Sequence, residues 1–155
     1  MAIDVAIEST IERPPDEVFA TIADLDGWPG WLVASGIRAV RRQRNGIAEP
    51  GERLIVEQDA AGRAATFEAE VLVAEPGSRF ALRGRDKDGV TIDIEAVVSA
   101  DAASEAVATD LWWSIRIALP LRYRMFESMA RPQVERAALL DIEGLRVRLE
   151  AAGRD

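Results

Sequence analysis

The chain of 155 residues contains no cysteine and no histidine. The first absence excludes disulfides, thiolate nucleophiles and cysteine-ligated metals; the second removes the commonest general base and the commonest metal ligand. Neither a resident metal nor a cofactor is therefore expected. Apolar runs are short as well: nothing approaches the ~18 consecutive apolar residues of a membrane span, so stable membrane insertion is not expected. Positive charge is in deficit, with 19 Lys and Arg against 27 Asp and Glu and a formal net charge of -8. Such a chain repels a phosphate backbone at long range, and it lacks the zinc-finger, helix-turn-helix and glycine-rich phosphate-loop patterns that would offset the repulsion. Nucleic acid is not an expected partner. The amino-terminal MAIDVAIEST passes directly into strand-like alternation, without a basic patch, apolar run and small-residue cleavage site, which predicts a cytoplasmic protein. Repeats, low-complexity segments and linkers are missing too, so residues 1–155 are read as one domain.

What the chain does contain is a clear order of periodicities. In IDVAIESTIE, Ile3, Val5 and Ile7 alternate with Asp4, Ala6 and Glu8, the period of two that a strand with one buried face requires. RPPDEVFATIADL follows, with prolines at a helix start, Asp16 and Glu17 in the first turn, and Val18, Ile22 and Leu25 at helical spacing. This predicts a short amphipathic helix, with Gly27 placed to end it. Aromatic residues make up only 6% of the chain, yet two of its four tryptophans flank a Pro-Gly pair in LDGWPGWL.

From Gly36 to about Ile117, strand candidates alternate with turn signals at NGIAEPGE, AAG, EPGS and DKDG, the spacing of an antiparallel meander. Phe67, Ala69, Val71 and Val73 are expected on one face against Thr66, Glu68 and Glu70; Val90, Ile92 and Ile94 stand likewise against Thr91, Asp93 and Glu95. Arg83, Arg85, Asp110 and Arg116 join the charged face, where cross-strand ion pairs are expected. In the last strand Trp113 is expected inward and Trp112 outward. IRAVRRQR, with Arg38, Arg41, Arg42 and Arg44, reads as a solvated edge strand protected by its charge. From Leu121 to Ala152 the period becomes helical, with a stripe of Val134, Ala138, Ile142, Leu145 and Leu149 preceded by Leu121, Met125 and Met129. Pro132 either kinks this helix or opens its main part; the second is preferred, since proline is well tolerated in a first turn.

This order of elements, with IERPPDEVFATIADLDGWPGWL near the amino terminus and RAALLDIEGLRVRLEAA at the other end, resembles the SRPBCC superfamily, which includes START domains, the birch-pollen allergen family and polyketide cyclase/dehydrase-like proteins. The resemblance spans the chain. It implies an α+β helix-grip fold: a curved antiparallel sheet of about seven strands around a long C-terminal helix, two short helices between strands one and two, and a cavity between sheet and helix. It also implies that this cavity holds a hydrophobic or aromatic small molecule, such as a lipid, a quinone or a polyketide-like compound.

The cavity lining is then expected from Phe67, Val71, Phe80, Leu82, Ile92, Ile94 and Trp113 of the sheet, and from Met125, Met129 and Phe126 or Tyr123 of the last helical region. The alternative is that these side chains fill the core. Thr109, Gln58 and Tyr123 are polar groups able to project inward, with Asp24 or Asp26 near the tryptophan turn. Trp28 and Trp31 are expected to close the open end of the curled sheet, Trp31 as core anchor and Trp28 nearer a ligand or the pocket rim. Carboxylate pairs such as Glu68 with Glu70 fall on the charged face, where solvation is the default and acid/base work is not. The terminal helix mixes Arg136, Arg146 and Arg148 with Glu135, Asp141, Glu143 and Glu150, which suits core covering better than lying on a membrane. Two functions remain open: non-catalytic binding of an apolar guest, or an aromatase/cyclase or dehydratase in the same cavity. An outward Trp112 also leaves room for a homodimer beside a monomer.

Overall fold

A computed structural model describes residues 2–60 and 62–154, so Ala61 of the AAG turn lies outside the described residues. The elements are β1 (Ala2–Ile11), α1 (Pro15–Ala23), a 3-10 turn (Leu25–Gly27), α2 (Trp28–Trp31), β2 (Ile37–Arg42), β3 (Arg53–Ala60), β4 (Arg63–Glu75), β5 (Arg79–Arg85), β6 (Thr91–Ala100), β7 (Thr109–Ala118), a second 3-10 turn (Leu121–Phe126) and α3 (Glu127–Ala152). The seven strands form one antiparallel sheet in the order β1-β7-β6-β5-β4-β3-β2. Each neighbour from β2 to β7 is a hairpin partner, and β1 closes onto β7 with Ala2 opposite Ala118 and Ile11 opposite Thr109. This is the expected helix-grip arrangement.

One face of the sheet carries the core. Ile7, Trp113, Ala96 and Phe80 lie in one cross-strand row, and Val5, Ile115, Ile94 and Leu82 in the next. α1 covers this face at the end where β1 finishes, α2 and the first 3-10 turn pack on β2, and α3 lies along β1. Opposite charges meet on the outer face, as expected: Arg83 Nε reaches Asp93 at 2.6 Å and Arg79 reaches Glu95 at 3.2 Å. Exposed pairs of this kind contribute only tenths of a kcal/mol each, roughly 0.2–1, but they keep the face polar.

The structure differs from the sequence expectations at four points. Gly27 does not end α1: the chain leaves the helix at Asp24 (φ -81°, ψ 86°), and Gly27 at φ -83°, ψ -11° carries it from the 3-10 turn straight into α2. Val73 is not on the inner face. A bulge between Val71 and Val73 shifts the register, so that Val73 pairs with Ala81 on the outside while Ala74 takes the inner place opposite Phe80. Pro132 neither begins nor bounds the last helix; α3 starts at Glu127 and runs through it. Only one backbone hydrogen bond is lost there, in the helix's second turn, and the buried stripe on both sides of the proline holds the helix together.

The fourth difference is Arg42. β2 is indeed an edge strand, and Arg38 and Arg41 are solvated as expected, but the Arg42 side chain is 1% exposed. Its register opposite Leu54 places it on the inner face, beneath the 3-10 turn. There it forms a two-pronged pair with Glu52, Nε–Oε2 at 2.6 Å and Nη2–Oε1 at 2.9 Å, and Nη1 donates to Asp26 at 3.1 Å and the Gly46 carbonyl at 2.8 Å. A buried guanidinium is tolerable when its donors are met this completely.

Candidate functional site

The interior is closed at the α1 end by aromatic rings. α2 is a single turn, so Trp28 and Trp31 project to the same side of it. Trp28 is fully buried. Its Nε1 donates at 2.8 Å to the Ile22 carbonyl, an acceptor in the last turn of α1 that the helix itself leaves free, and its ring meets Phe80 edge-on with centroids 5.9 Å apart. Trp31 stands edge-on to Trp113, with centroids 5.5 Å apart. Trp31 is a core residue as expected, but Trp28 is one too rather than a rim residue, because the end of α1 supplies its hydrogen-bond partner. The indole N–H groups of Trp31 and Trp113 are buried without a partner.

The other inner-face expectations sort by depth. Phe67, Val71, Phe80, Leu82, Ile94 and Trp113 are buried in the core, whereas Ile92 is half-buried. Thr109 is buried, but its hydroxyl is engaged: Oγ1 donates to the Arg13 carbonyl at 2.6 Å, tying β7 to the end of β1. Gln58 likewise donates to the Ser35 carbonyl at 2.7 Å. Asp26 serves Arg42. Met125, Phe126 and Met129 do not line the interior; all three are exposed. The helical stripe points inward through Val134, Ala138 and Ile142, and Met129 and Phe126 lie off that line, which the sequence reading extended too far back.

Half-buried apolar surface gathers at the end opposite α1. It comprises Ile92 and Ile117, adjacent inner positions of β6 and β7, then Leu119 and Tyr123 leading into α3, and Ala130 and Val134 of α3 itself. All six pack against the margin of the core where the sheet meets the first turns of α3. Glu127 belongs to the same stretch. It is buried, and its Oε1 has no hydrogen-bond partner. Buried carboxylate oxygens normally accept hydrogen bonds, so this atom is an acceptor left without a donor among the described residues. The sequence carried a signal for it: Glu127 stands one heptad before Val134, on the buried stripe's own line, where a solvated glutamate is out of place.

The buried carboxylates of Asp141 and Asp86 are committed to structure. Asp141 accepts from the backbone N–H of Ala34 at 2.7 Å and of Ser35 at 2.9 Å, fastening the loop after α2 onto α3; burial pushes its pKa up despite these bonds. Asp86 accepts from the N–H groups of Asp88 and Val90, both at 2.9 Å, and so shapes the β5–β6 turn. Two recesses, of about 410 and 580 Å³, open on the outer face of the sheet and not between sheet and helix. Arg63, Glu68, Arg85 and Asp86 line the first, and half-buried Trp112 with Leu72, Arg83 and Glu95 the second. Among the described residues no cluster of acidic side chains is arranged to hold a metal ion.

Comparisons agree with this architecture. The sequence family described as polyketide cyclase / dehydrase and lipid transport matches residues 2–150. A search of curated protein sequences found no match. Among solved structures, the Zhui aromatase/cyclase from Streptomyces sp. R1128 is similar with a TM-score of 0.75 at 18% identity, over 97% of this chain and 94% of that one. A START superfamily protein from Mycobacterium smegmatis gives 0.73 at 11% identity, over 96% and 98%. The ginseng major latex-like protein 151 from Panax ginseng gives 0.68 at 12% identity, over 96% and 97%. At such identities the likeness is one of fold.

Proposed function

The chain belongs to the polyketide cyclase/dehydrase and lipid-transport family, and from that premise we propose that it binds a hydrophobic or aromatic small molecule in a cleft between the sheet and the start of α3. The observation that carries this reading is the half-buried apolar surface of Ile92, Ile117, Leu119, Tyr123, Ala130 and Val134, with the unpartnered Glu127 oxygen among it. Pockets for small molecules combine an apolar lining with a few polar groups that fix orientation. Here the apolar part supplies affinity, and Glu127 selects guests that present a hydroxyl or N–H donor.

A cyclase or dehydratase in the same cleft needs at least two ionisable or hydroxyl groups converging on one substrate. Tyr123 lies four residues before Glu127, but no hydrogen bond joins them among the described residues, and the Arg122 guanidinium lies over the tyrosine ring, 4.9 Å from its centroid. Thr109, Asp86 and Asp141 are engaged elsewhere. Binding without turnover is the better-supported reading.

The test is a screen of fatty acids, sterols, quinones and aromatic polyketides by native mass spectrometry and thermal shift. A binding class that stabilises the wild type should lose its effect on Val134→Trp, which fills the cleft, while Glu127→Gln should weaken hydroxylated guests more than their ethers. If no class binds, or if Val134→Trp binds as well as the wild type, the cleft is not the site.

A further inference from the structure

The 3-10 turn after β7 and the first turn of α3 form a lip beside the proposed cleft, and this lip has an unusual surface. Leu121 is 80% exposed, Met125 76%, Met129 67% and Phe126 49%. Side chains that free of neighbours project into solvent; they do not line a groove. The same stretch, residues 119–131, carries Arg122, Arg124 and Arg131, all exposed, against one acidic residue, the buried Glu127. Arg124 has no ion-pair partner among the described residues, Arg122 lies against Tyr123 and donates to the Asp88 carbonyl at 2.7 Å, and Arg131 donates to the Ala2 and Asp4 carbonyls. None of the three forms a salt bridge among the described residues, although the Asp86 and Asp88 carboxylates act on Arg122 from nearby. A positively charged apolar lip thus stands on a protein whose net charge is -8.

We propose that this lip docks reversibly on an anionic lipid bilayer. Isolated apolar side chains flanked by arginine are the arrangement that interfacial segments use: the apolar groups enter the headgroup boundary and the cations stay with the anionic headgroups. Methionine, flexible and polarisable, suits a fluid partner better than a fitted one. A second copy of the chain is the poorer occupant. Four projecting side chains fall well short of the roughly 800 Å² per partner that a stable protein interface buries, and two basic lips repel each other.

The protein's negative charge does not forbid this docking: Asp86 and Asp88 of the β5–β6 turn lie at the lip's end but pair with Arg63, and much of the rest sits at the far end. Glu75, Asp101 and Glu105 lie on the β4–β5 and β6–β7 connections, and Asp16 and Glu17 at the start of α1, all at the sheet end where Ile11 pairs with Thr109. The lip follows Ala118, at the opposite end of β7, a strand of 10 residues and so about 33 Å long. That separation is several times the ~8 Å Debye length at physiological ionic strength, so the bilayer meets the basic lip while the acidic end is screened. The proposal does not depend on what the cleft holds; if the cleft is a ligand site, docking would let an apolar guest pass from bilayer to protein without crossing water.

The experiment is vesicle co-sedimentation of the protein without added ligand. Vesicles of phosphatidylcholine alone are compared with vesicles containing roughly 30% phosphatidylglycerol, at low and high salt. The wild type should sediment with the anionic vesicles, release in high salt, and ignore the neutral ones. Arg124→Gln should lower the partition coefficient about fivefold. The triple variant Met125→Ser, Phe126→Ser, Met129→Ser changes exposed positions only; with unchanged circular dichroism and melting, it should abolish vesicle binding. Equal binding to neutral and anionic vesicles, triple-variant binding equal to the wild type, or no binding by the wild type would overturn the proposal. So would a dimer in light scattering that the serine substitutions dissolve, which would assign the lip to a second copy instead.

Discussion

Trp28 shows how much one side chain does in this fold. It fills the space between α2 and Phe80 and also caps a free carbonyl of α1. Trp28→Ala should therefore lower the unfolding free energy by about 3–5 kcal/mol, measured by urea denaturation, and Trp28→Phe by about 1–3 kcal/mol, since volume and hydrogen bond are only partly replaced. Arg42 behaves differently. Replacing it alone, as Arg42→Met, strands the buried Glu52 carboxylate and should cost about 3–5 kcal/mol, whereas Arg42→Met with Glu52→Leu should recover most of the loss. Asp141 gives a pH signature. Burial raises its folded pKa above the ordinary 3.8, so the folded state holds the proton more tightly than the unfolded chain does. The Asp141 contribution is then most favourable at low pH and diminishes as pH rises from the ordinary aspartate range through the raised value. The stability of the wild type minus that of Asp141→Asn should fall across that window in denaturant titrations. A difference that grew with pH would mean that the bonds to Ala34 and Ser35 outweigh burial.

At the level of elements, the connection between α2 and β2 is held from several sides. Asp141 of α3 holds Ala34 and Ser35, Gln58 of β3 holds the Ser35 carbonyl, and the Asp59 N–H donates to the Gly36 carbonyl at 2.8 Å. Gly36 adopts φ +77°, and a Cβ there would come within 1.8 Å of the Asp59 carbonyl oxygen. Gly36→Ala should lower the melting temperature sharply, because strain and a backbone clash act together and no side chain can yield. α3 offers the opposite case. Pro132 lies inside the helix without an N–H to donate, so Pro132→Ala should stabilise the protein by about 1–3 kcal/mol and raise its melting temperature. Both elements were legible as types, a turn and a helix, but their exact limits were not. A glycine near the end of a helical pattern signals a stop only if it turns left-handed, and Gly27 does not.

For the whole molecule, the consequence of the proposed binding is linkage between guest and stability. A guest held at about a hundred times its Kd should stabilise the fold by about 2.7 kcal/mol, and this gain should vanish in Val134→Trp. The sequence by itself determined the architecture, because strand and helix periods are local and a sheet with one apolar face has few ways to cover it. It also settled the outer face, where charges alternate with the inward residues and pair across strands. What only the tertiary structure decided was the fate of each inward residue. Alternation says that Phe67, Thr109 and Ile92 share a face, but whether one meets core, a backbone carbonyl or the half-buried margin of the core depends on the helices packed against it. A one-residue bulge moved Val73 to the other face, and a single row of register buried Arg42. The reason is that the period of a strand fixes direction within a few residues, whereas burial depends on partners brought from more than a hundred residues away, as Asp141 is brought to Ala34.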